Sequence, residues 1–399
     1  MRLPRWFVCF SFAVTAELHL ATSSLAQLEL FRDEMTNAAA WGKNASSTDH
    51  LATFNYDYSA NGIPEAPNSR SGDSATRGVK LEANIVTPAA AAVFTLYPLD
   101  QNFTGSHRLR FDAWMNFDVQ EALGGAVGTT EFLGGGVGYD IVTADVASGA
   151  QAITTGDGGA ASDWRAFKSP PQFIITAANM AGGSNQNSVA YYTSFLPGVQ
   201  PPAAQGQSAL AGASGAPGFQ WITWEFTATN EGGNNTVTVH VEKPGGDRLR
   251  IVTIDCTNTS DGSSGCTSEG NISLFYGDFF TSVSPRPDLT FGVIDNVVVN
   301  RVLFGDYNGD GIVDAADFTV WRDHLGQAIA LPNESVTPGM VTEEDYDEWK
   351  ARFGQSVGTG GGSLANTAVP EPTSGALFLA LTAWAMLTRP RRESMPPGT

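Results

Sequence analysis

The chain has 399 residues and a mass of 42.1 kDa, and 42% of its residues are apolar while only 16% are charged. This is enough apolar chain for a sizeable core, and the length predicts roughly two or three domains of about 150 residues each. The formal net charge of −19 argues against nucleic acid and anionic membrane surfaces as partners, because both repel a polyanion.

Residues 1–26 are predicted to be a secretory signal peptide. Arg2 and Arg5 supply the charged beginning, and Trp6 to Ala16 is an apolar run too short to span a bilayer. Residues 24–26, Ser-Leu-Ala, provide the small side chains of a cleavage site. A buried N-terminal helix is the alternative. A signal peptide implies export to an oxidising compartment.

Residues 27–303 are predicted to form one all-β domain. They have no helical periodicity, and short runs of alternating apolar and polar residues are separated by clusters of Gly, Pro, Asn and Asp. Residues 230–235 are predicted to be a hairpin loop, and residues 195–219 and much of 141–163 to be irregular loops. The predicted strands include Arg108–Asp118, Trp221–Phe226, Thr236–Glu242, Leu249–Ile254 and Leu289–Val302.

This pattern and size are similar to those of the concanavalin A-like and laminin-G-like β domains. The resemblance implies a mainly β protein with a jelly-roll-type β-sandwich and a lectin-like function.

One strand carries the predicted ligand-binding face. In Arg108–Asp118 alternate residues are apolar, and the opposite face consists of Arg110, Asp112, Trp114 and Asn116. An aromatic ring among hydrogen-bonding side chains suits a sugar ring or an extended peptide. The alternative is that a second sheet or a loop covers this face and simply buries Trp114.

Patterns of known catalytic chemistry are missing from the sequence. It contains no H-E-x-x-H and no G-x-S-x-G, and it lacks the Glu-x-Asp-x-Glu cluster of jelly-roll glucanases. The sequence therefore favours a non-enzymatic protein that binds polysaccharide or matrix. A purely structural envelope component without a ligand is one alternative. Distant carboxylates can still cleave glycosidic bonds, so a polysaccharide-degrading enzyme, or its accessory carbohydrate-binding component, is another alternative.

Outside the predicted signal peptide the chain has two cysteines, Cys256 and Cys266, which flank a turn-forming stretch of Thr, Asn, Ser, Asp and Gly. In an exported chain this arrangement predicts a disulfide that closes a hairpin loop. Two free thiols are the alternative.

Residues 304–356 are predicted to form a small acidic module built from an internal repeat. Residues 304–357 hold eleven acidic and three basic side chains. Val313–Gln327 aligns with Val341–Gln355 at a spacing of 28, and in each copy the apolar residues fall on one face of a helix that ends at a glycine. The two predicted helices can bury their aromatic faces against each other.

Residues 306–317 have the spacing of a twelve-residue calcium loop, with hard oxygen ligands at alternate positions and a glycine at the sharp turn. An acidic loop exposed to water is the alternative. In the second copy most ligand positions are lost, so one Ca²⁺ ion is expected. The predicted ligands are Asp306, Asn308, Asp310, Asp314 and Asp317, with Ile312 contributing its backbone carbonyl.

A calcium loop followed by a helix, repeated without a preceding helix, resembles a type I dockerin. The resemblance covers residues 304–356 and implies a docking role, with a cohesin-like protein as partner.

The end of the chain is predicted to be a sorting signal behind a glycine-rich linker, residues 357–368. Residues 369–393 contain Pro370-Glu371-Pro372, then an uncharged run expected to form a short membrane helix, then Arg389, Arg391 and Arg392. This order resembles the PEP-CTERM signal of Gram-negative bacteria. It implies an exosortase-like membrane protease and delivery to the cell surface or extracellular matrix. A lasting single-span anchor is the alternative.

Overall fold

The computed structural model describes residues 28–357, apart from 88, 90, 121–129, 143–146, 170–171, 232, 280–282, 284–285 and 338. The described residues belong to one compact unit. The predicted signal peptide, the sorting motif with its three arginines, and all but the first residue of the predicted linker lie outside the described residues.

The described chain is mainly β, as predicted. Its strands are β1 Glu29–Asp33, β2 Trp41–Ala45, β3 His50–Asp57, β4 Arg77–Ala83, β5 Ala91–Pro98, β6 His107–Asn116, β7 Thr130–Tyr139, β8 Gly149–Thr155, β9 Trp164–Ser169, β10 Phe173–Ile174, β11 Ile222–Glu231, β12 Asn234–Glu242, β13 Arg248–Asp255, β14 Asn271–Phe279 and β15 Phe291–Arg301.

These strands form two antiparallel sheets. Sheet A has the order β13-β12-β11-β6-β15-β4-β3, and β1 also pairs with β15. Sheet B has the order β10-β9-β8-β7-β14-β5-β2. Strands that are distant in sequence, such as β6 and β15, lie side by side, so each sheet is assembled from both halves of the domain.

The main core lies between the two sheets and is filled by alternate residues of the strands. In β6 the inward residues are Leu109, Phe111, Ala113 and Met115, as the sequence predicts. The predicted inward residues of β11 and β12 also belong to this core, and sheet B contributes residues such as Leu274. Each strand thus turns one apolar face inward, and the packed pair of sheets is a β-sandwich.

Two loop predictions were wrong in their extent. In the predicted hairpin loop at 230–235, Asn230 pairs with Asn235 and Glu231 with Asn234, so the paired strands extend into the predicted loop. Gly233 has φ +87°, which a glycine adopts without a Cβ clash. Within the predicted irregular stretch 141–163, Gly149–Thr155 is a strand of sheet B, because its small residues fit between two neighbouring strands.

The module that follows β15 contains two helices of ten residues, α2 Ala315–His324 and α3 Glu343–Arg352. A short helix, α1 Ala190–Thr193, lies within the sandwich. The two halves of the module repeat their contacts at the sequence spacing of 28. The Trp321 indole N–H donates to the Thr342 carbonyl at 2.7 Å, and the Trp349 indole N–H donates to the Asp314 carbonyl at 2.7 Å.

Among the residues that the structure describes, no helix has both the length and the apolar character needed to cross a membrane.

Candidate calcium loop and ligand cleft

The face of β6 that was predicted to bind a ligand is covered. Trp114 is only 3% exposed, because residues between β3 and β4 and residues before β11 fold over it. Its ring lies 5.7 Å from the ring of Trp221, and Trp221 in turn lies 5.4 Å from Tyr58. The covering segments are held by polar contacts, such as the hydrogen bond from the Trp221 indole N–H to the Pro64 carbonyl at 2.8 Å.

Two buried carboxylates of sheet A hold the covering segments, which lie between β3 and β4 and before β11, against the sheet. Asp112 accepts hydrogen bonds from the side chains of Thr223, Asn68 and Asn296, at 2.6, 2.6 and 2.9 Å. Asp295 stands opposite Asp112 in the β6–β15 register and accepts the Tyr58 hydroxyl at 2.9 Å. Burial and, to a smaller extent, the charge of the nearby Asp112 raise the pKa of Asp295 to about 7, although the Tyr58 hydrogen bond opposes the shift.

The predicted ligand set therefore needs correction. Asp112, Trp114 and Asn116 are buried, and their polar atoms bond to other residues of the chain. Arg110 is partly exposed and forms ion pairs with Glu225 and Glu242. The face is polar because it anchors a loop, so it offers no open platform to a sugar.

An open cleft of about 420 Å³ lies elsewhere, at one end of the sandwich. Four separate segments line it: residues 101–102; the end of β7, the start of β8 and the connection between them, at 138–142 and 148–149; Ser169 at the end of β9; and residues 267 and 269–271 at the start of β14. Its volume falls in the range of about 300–1,000 Å³ typical of small-molecule sites.

The lining of the cleft combines free polar groups with an apolar edge. The side-chain amides of Gln101 and Asn102 form no hydrogen bond with any other described residue. Glu269 uses one carboxylate oxygen to accept the Gly105 N–H at 2.7 Å. Val142 is 86% exposed at the rim. Amides and a carboxylate beside an apolar edge are the groups that bind the hydroxyls and the C–H face of a sugar.

Sequence reasoning missed this cleft because its lining comes from four segments that lie far apart in the chain. The segments are strand ends and the connections beside them, and none has a spacing that distinguishes it from other strand ends or loops. The only local signal is that Gln101 and Asn102 are adjacent amides in a connection between two apolar strands.

The predicted calcium loop closes on itself before α2. Gly309 and Gly311 have φ of +76° and +79°, which allows the chain to turn sharply. The carboxylate of Asp306 lies inside the loop, where its two oxygens accept the N–H groups of Asp310 at 3.0 Å and Gly311 at 2.9 Å.

The last predicted ligand, Asp317, closes the other side of the loop. Its oxygens accept the N–H groups of Asn308 at 2.9 Å and Asp314 at 2.8 Å, and it is fully buried. Burial, together with the charge of Asp317, raises the pKa of Asp306 to about 6. Two carboxylates thus face each other in a small volume, an arrangement that a cation would stabilise.

The donor set fits calcium in its chemistry, since carboxylate, amide and carbonyl oxygens are the ligands that Ca²⁺ prefers. Among the described residues, however, no three His, Cys, Asp or Glu side chains are grouped to hold a metal ion. The oxygens of Asp310 and Asp314 accept the N–H groups of Ile312 and Ala316 instead. These two side chains would have to turn inward around an ion.

The corresponding second loop is held by hydrogen bonds between its own residues. The Thr337 hydroxyl donates to Asp345 at 2.8 Å, and Glu334 accepts the Gly339 N–H at 2.7 Å. Arg352 pairs with the buried Glu348 at 3.2 Å. Hydrogen bonds from a hydroxyl and from backbone N–H groups thus satisfy the carboxylates of the second loop.

A disulfide joins Cys256 to Cys266, the pair that the sequence predicts, with their Cα atoms 4.5 Å apart. It follows β13 and closes the connection toward β14.

No protein-family model matches the chain, and no curated protein sequence matches it. Solved structures similar to it are lectin-like β-sandwich domains. The lumenal domain of VIP36 in its Ca²⁺/Man3GlcNAc-bound form has a TM-score of 0.32 and 8% identity, over 68% of this chain and 90% of that one. Peanut lectin with a nine-residue peptide has a TM-score of 0.29 and 9% identity, over 67% of this chain and 95% of that one.

A legume lectin-like domain from Entamoeba histolytica has a TM-score of 0.32 and 5% identity, over 66% of this chain and 91% of that one. Superpositions as loose as these transfer neither a site nor a ligand to this chain. The description of the sandwich rests on its own strand pairing.

Proposed function

We propose that the protein is an exported, surface-sorted and non-enzymatic protein whose β-sandwich binds glycan or matrix polysaccharide. The observation that carries the proposal is the open cleft with unpaired amides beside an apolar edge. A sugar offers hydroxyls to such amides and C–H groups to such an edge. The disulfide between Cys256 and Cys266 supports export, because such bonds persist in oxidising compartments.

A glycan array probed with the full exported chain tests the proposal. We expect binding to a defined set of sugars and a loss of about tenfold or more for Asn102→Ala, because Asn102 lines the cleft. Gln355→Ala removes an exposed amide of the acidic module and serves as the matched control. An array without binding, or equal binding by Asn102→Ala and the parent protein, would overturn the proposal.

A second candidate function is hydrolysis of a polysaccharide, because Asp140 and Glu269 both line the cleft. Glycosidic hydrolysis uses two carboxylates that flank the scissile bond. Reducing-sugar assays on plant and algal polysaccharides separate the two functions. Turnover that disappears in Glu269→Gln would establish an enzyme, whereas binding without turnover supports the non-enzymatic proposal.

We further propose that the acidic module is a dockerin-like calcium module that binds one ion through Asp306, Asn308, Asp310, the Ile312 carbonyl, Asp314 and Asp317. The buried carboxylates of the first loop and the self-contained second loop support one ion rather than two. A cohesin-like partner belongs to this proposal, and pull-down by immobilised cohesin modules tests it, with calcium present and with calcium chelated.

The sorting tail is proposed on its sequence alone. An exosortase-like protease would remove the chain from about Pro370-Glu371-Pro372 onward, so the surface-associated protein should lack Arg392. Intact mass of protein recovered from the cell surface decides this: a species that still carries Arg392 points to a lasting membrane anchor instead.

A further inference from the structure

The outer face of sheet A carries an unusual set of charges on four neighbouring strands. The register places Arg110 of β6, Glu225 of β11, His240 of β12 and Arg250 of β13 in one row across the sheet. Side chains two residues apart on a strand share a face, so Arg108 and Arg248 belong to this surface as well. We call the surface formed by Arg108, Arg110, Glu225, Glu242, Arg248 and Arg250 the arginine face.

The arginine face is positive, although the whole chain carries a net charge of −19. Its four arginines outnumber its two glutamates by two. His240 adds no charge at neutral pH, because burial and the charge of Arg248 lower its pKa to about 4. The surface is therefore a local basic area on a strongly acidic protein.

The pairing within the face leaves donors available at its edge. Glu225 is 2% exposed and pairs with Arg108, Arg110 and Arg248. Arg250 is exposed and forms no ion pair with any described residue. The side chain of Arg248 is 36% exposed, so it can turn part of its guanidinium toward a ligand. Buried Glu225 thus holds Arg108, Arg110 and Arg248 in place. Arg108 also donates to Asn333, and Arg110 donates to Glu242, so the available donors are those of Arg250 and the exposed part of Arg248.

We propose that the arginine face binds an anionic polysaccharide, whose carboxylate or sulfate groups are carried on separate sugar units. Guanidinium groups bind such oxyanions through paired hydrogen bonds. Arginines two residues apart on a strand lie about 7 Å apart, and β6 and β13 lie about 14 Å apart across the sheet. Such spacing suits charges carried on separate units of an extended chain.

The large negative charge of the protein does not forbid this partner. At physiological ionic strength, exposed charges more than about 8 Å apart are largely screened, so the local arginines decide the encounter. Double-stranded DNA is far more densely charged and would bring many phosphates near the acidic remainder of the surface. A polysaccharide with at most one or two charges per sugar brings far fewer.

The arginine face and the ligand cleft share no residue, so this inference does not rest on the proposed function. Asn102→Ala should lose glycan binding at the cleft and keep anionic-polymer binding at the arginine face. A variant of the arginine face should lose anionic-polymer binding and keep glycan binding at the cleft.

The test uses the full chain and three polymers: polygalacturonate for carboxylates, dextran sulfate for sulfates, and neutral dextran. We expect salt-sensitive binding to one or both anionic polymers and none to dextran. Arg250→Gln should weaken that binding about tenfold or more, because it removes a charged donor. Arg250→Lys keeps the charge and should lose less. Arg322→Gln, an exposed arginine of α2, changes the net charge equally and should bind like the parent protein.

Three results would overturn the inference. Unchanged binding by folded Arg250→Gln would place the anion elsewhere, and equal weakening by Arg322→Gln would indicate a general charge effect. Binding of short duplex DNA as tight as that of the anionic polymers would make the face a non-selective anion surface. Circular dichroism of each variant verifies that it is folded.

Discussion

The buried carboxylate of Asp295 provides a quantitative test of the cover over sheet A. The change is Asp295→Asn, which removes the charge and nearly keeps the shape. The pKa of Asp295 is raised from 3.8 to about 7, mainly by burial, and each unit corresponds to about 1.4 kcal/mol. The ionised side chain therefore costs up to about 4 kcal/mol of folding free energy at pH 8.

The substitution also loses part of a hydrogen-bond pair. Asp295 accepts the Tyr58 hydroxyl and the Asn296 N–H, whereas an asparagine oxygen faces only one of them and its NH₂ group faces the other donor. Such a mismatch costs about 1–3 kcal/mol. We therefore expect the variant to be about 1–3 kcal/mol more stable than the parent protein at pH 8.

The pH dependence has a defined sign. Between about pH 4 and pH 7 folded Asp295 keeps a proton that the unfolded chain has released, so the parent protein loses stability as the pH rises. Asp295→Asn does not lose stability in this way. At pH 4.5 it should be no more stable than the parent protein, or less stable, and its advantage in unfolding free energy should grow from pH 4.5 to pH 8. Urea denaturation at both pH values measures the difference, with the exposed Asp247→Asn as control. A difference in unfolding free energy that does not vary with pH would refute the raised pKa of Asp295.

Three further predictions concern the module and the disulfide. Chelating calcium should lower the melting temperature of the full chain, because free calcium at 100 times its Kd adds about 2.7 kcal/mol of stability. Asp306→Ala should abolish this effect, whereas the exposed Asp323→Ala should retain it. A calorimetric trace that the chelator leaves unchanged would contradict the calcium site. Arg352→Ala should lower the free energy of unfolding by about 3 kcal/mol, measured by thermal or urea denaturation, because Arg352 pairs with both Glu231 of β11 and the buried Glu348. The exposed Lys350→Ala is the control, and equal stability of the two variants would count against a stabilising role of these ion pairs. Reduction of Cys256–Cys266 should cost roughly 2–3 kcal/mol, since the closed loop is short; mass spectrometry that finds both thiols free in exported protein would exclude the bond.

Local patterns in the sequence determined five of the strands, the two helices of the acidic module and the inner faces of β6, β11 and β12. Successive residues of a strand point to opposite faces of the sheet, so Leu109 and Phe111, two positions apart in β6, could be assigned to the core from their spacing alone. The internal repeat of the acidic module likewise predicts two equivalent helices, and Trp321 and Trp349 make equivalent hydrogen bonds. These features depend on neighbours a few positions away, which the sequence displays directly.

Only the tertiary structure decided what each polar face does. The sequence leaves Trp114 with two interpretations, and the choice depends on Tyr58 and Trp221, which are both distant from it along the chain. The cleft and the arginine face arise in the same way. The polar groups of the cleft come from four distant segments, and the charges of the arginine face come from four paired strands. Periodicity reports the face on which a side chain lies. Whether that face is covered, paired or open depends on contacts between segments that are distant in the chain. The free energy of such a contact depends on both segments, so the local sequence of one of them does not specify it.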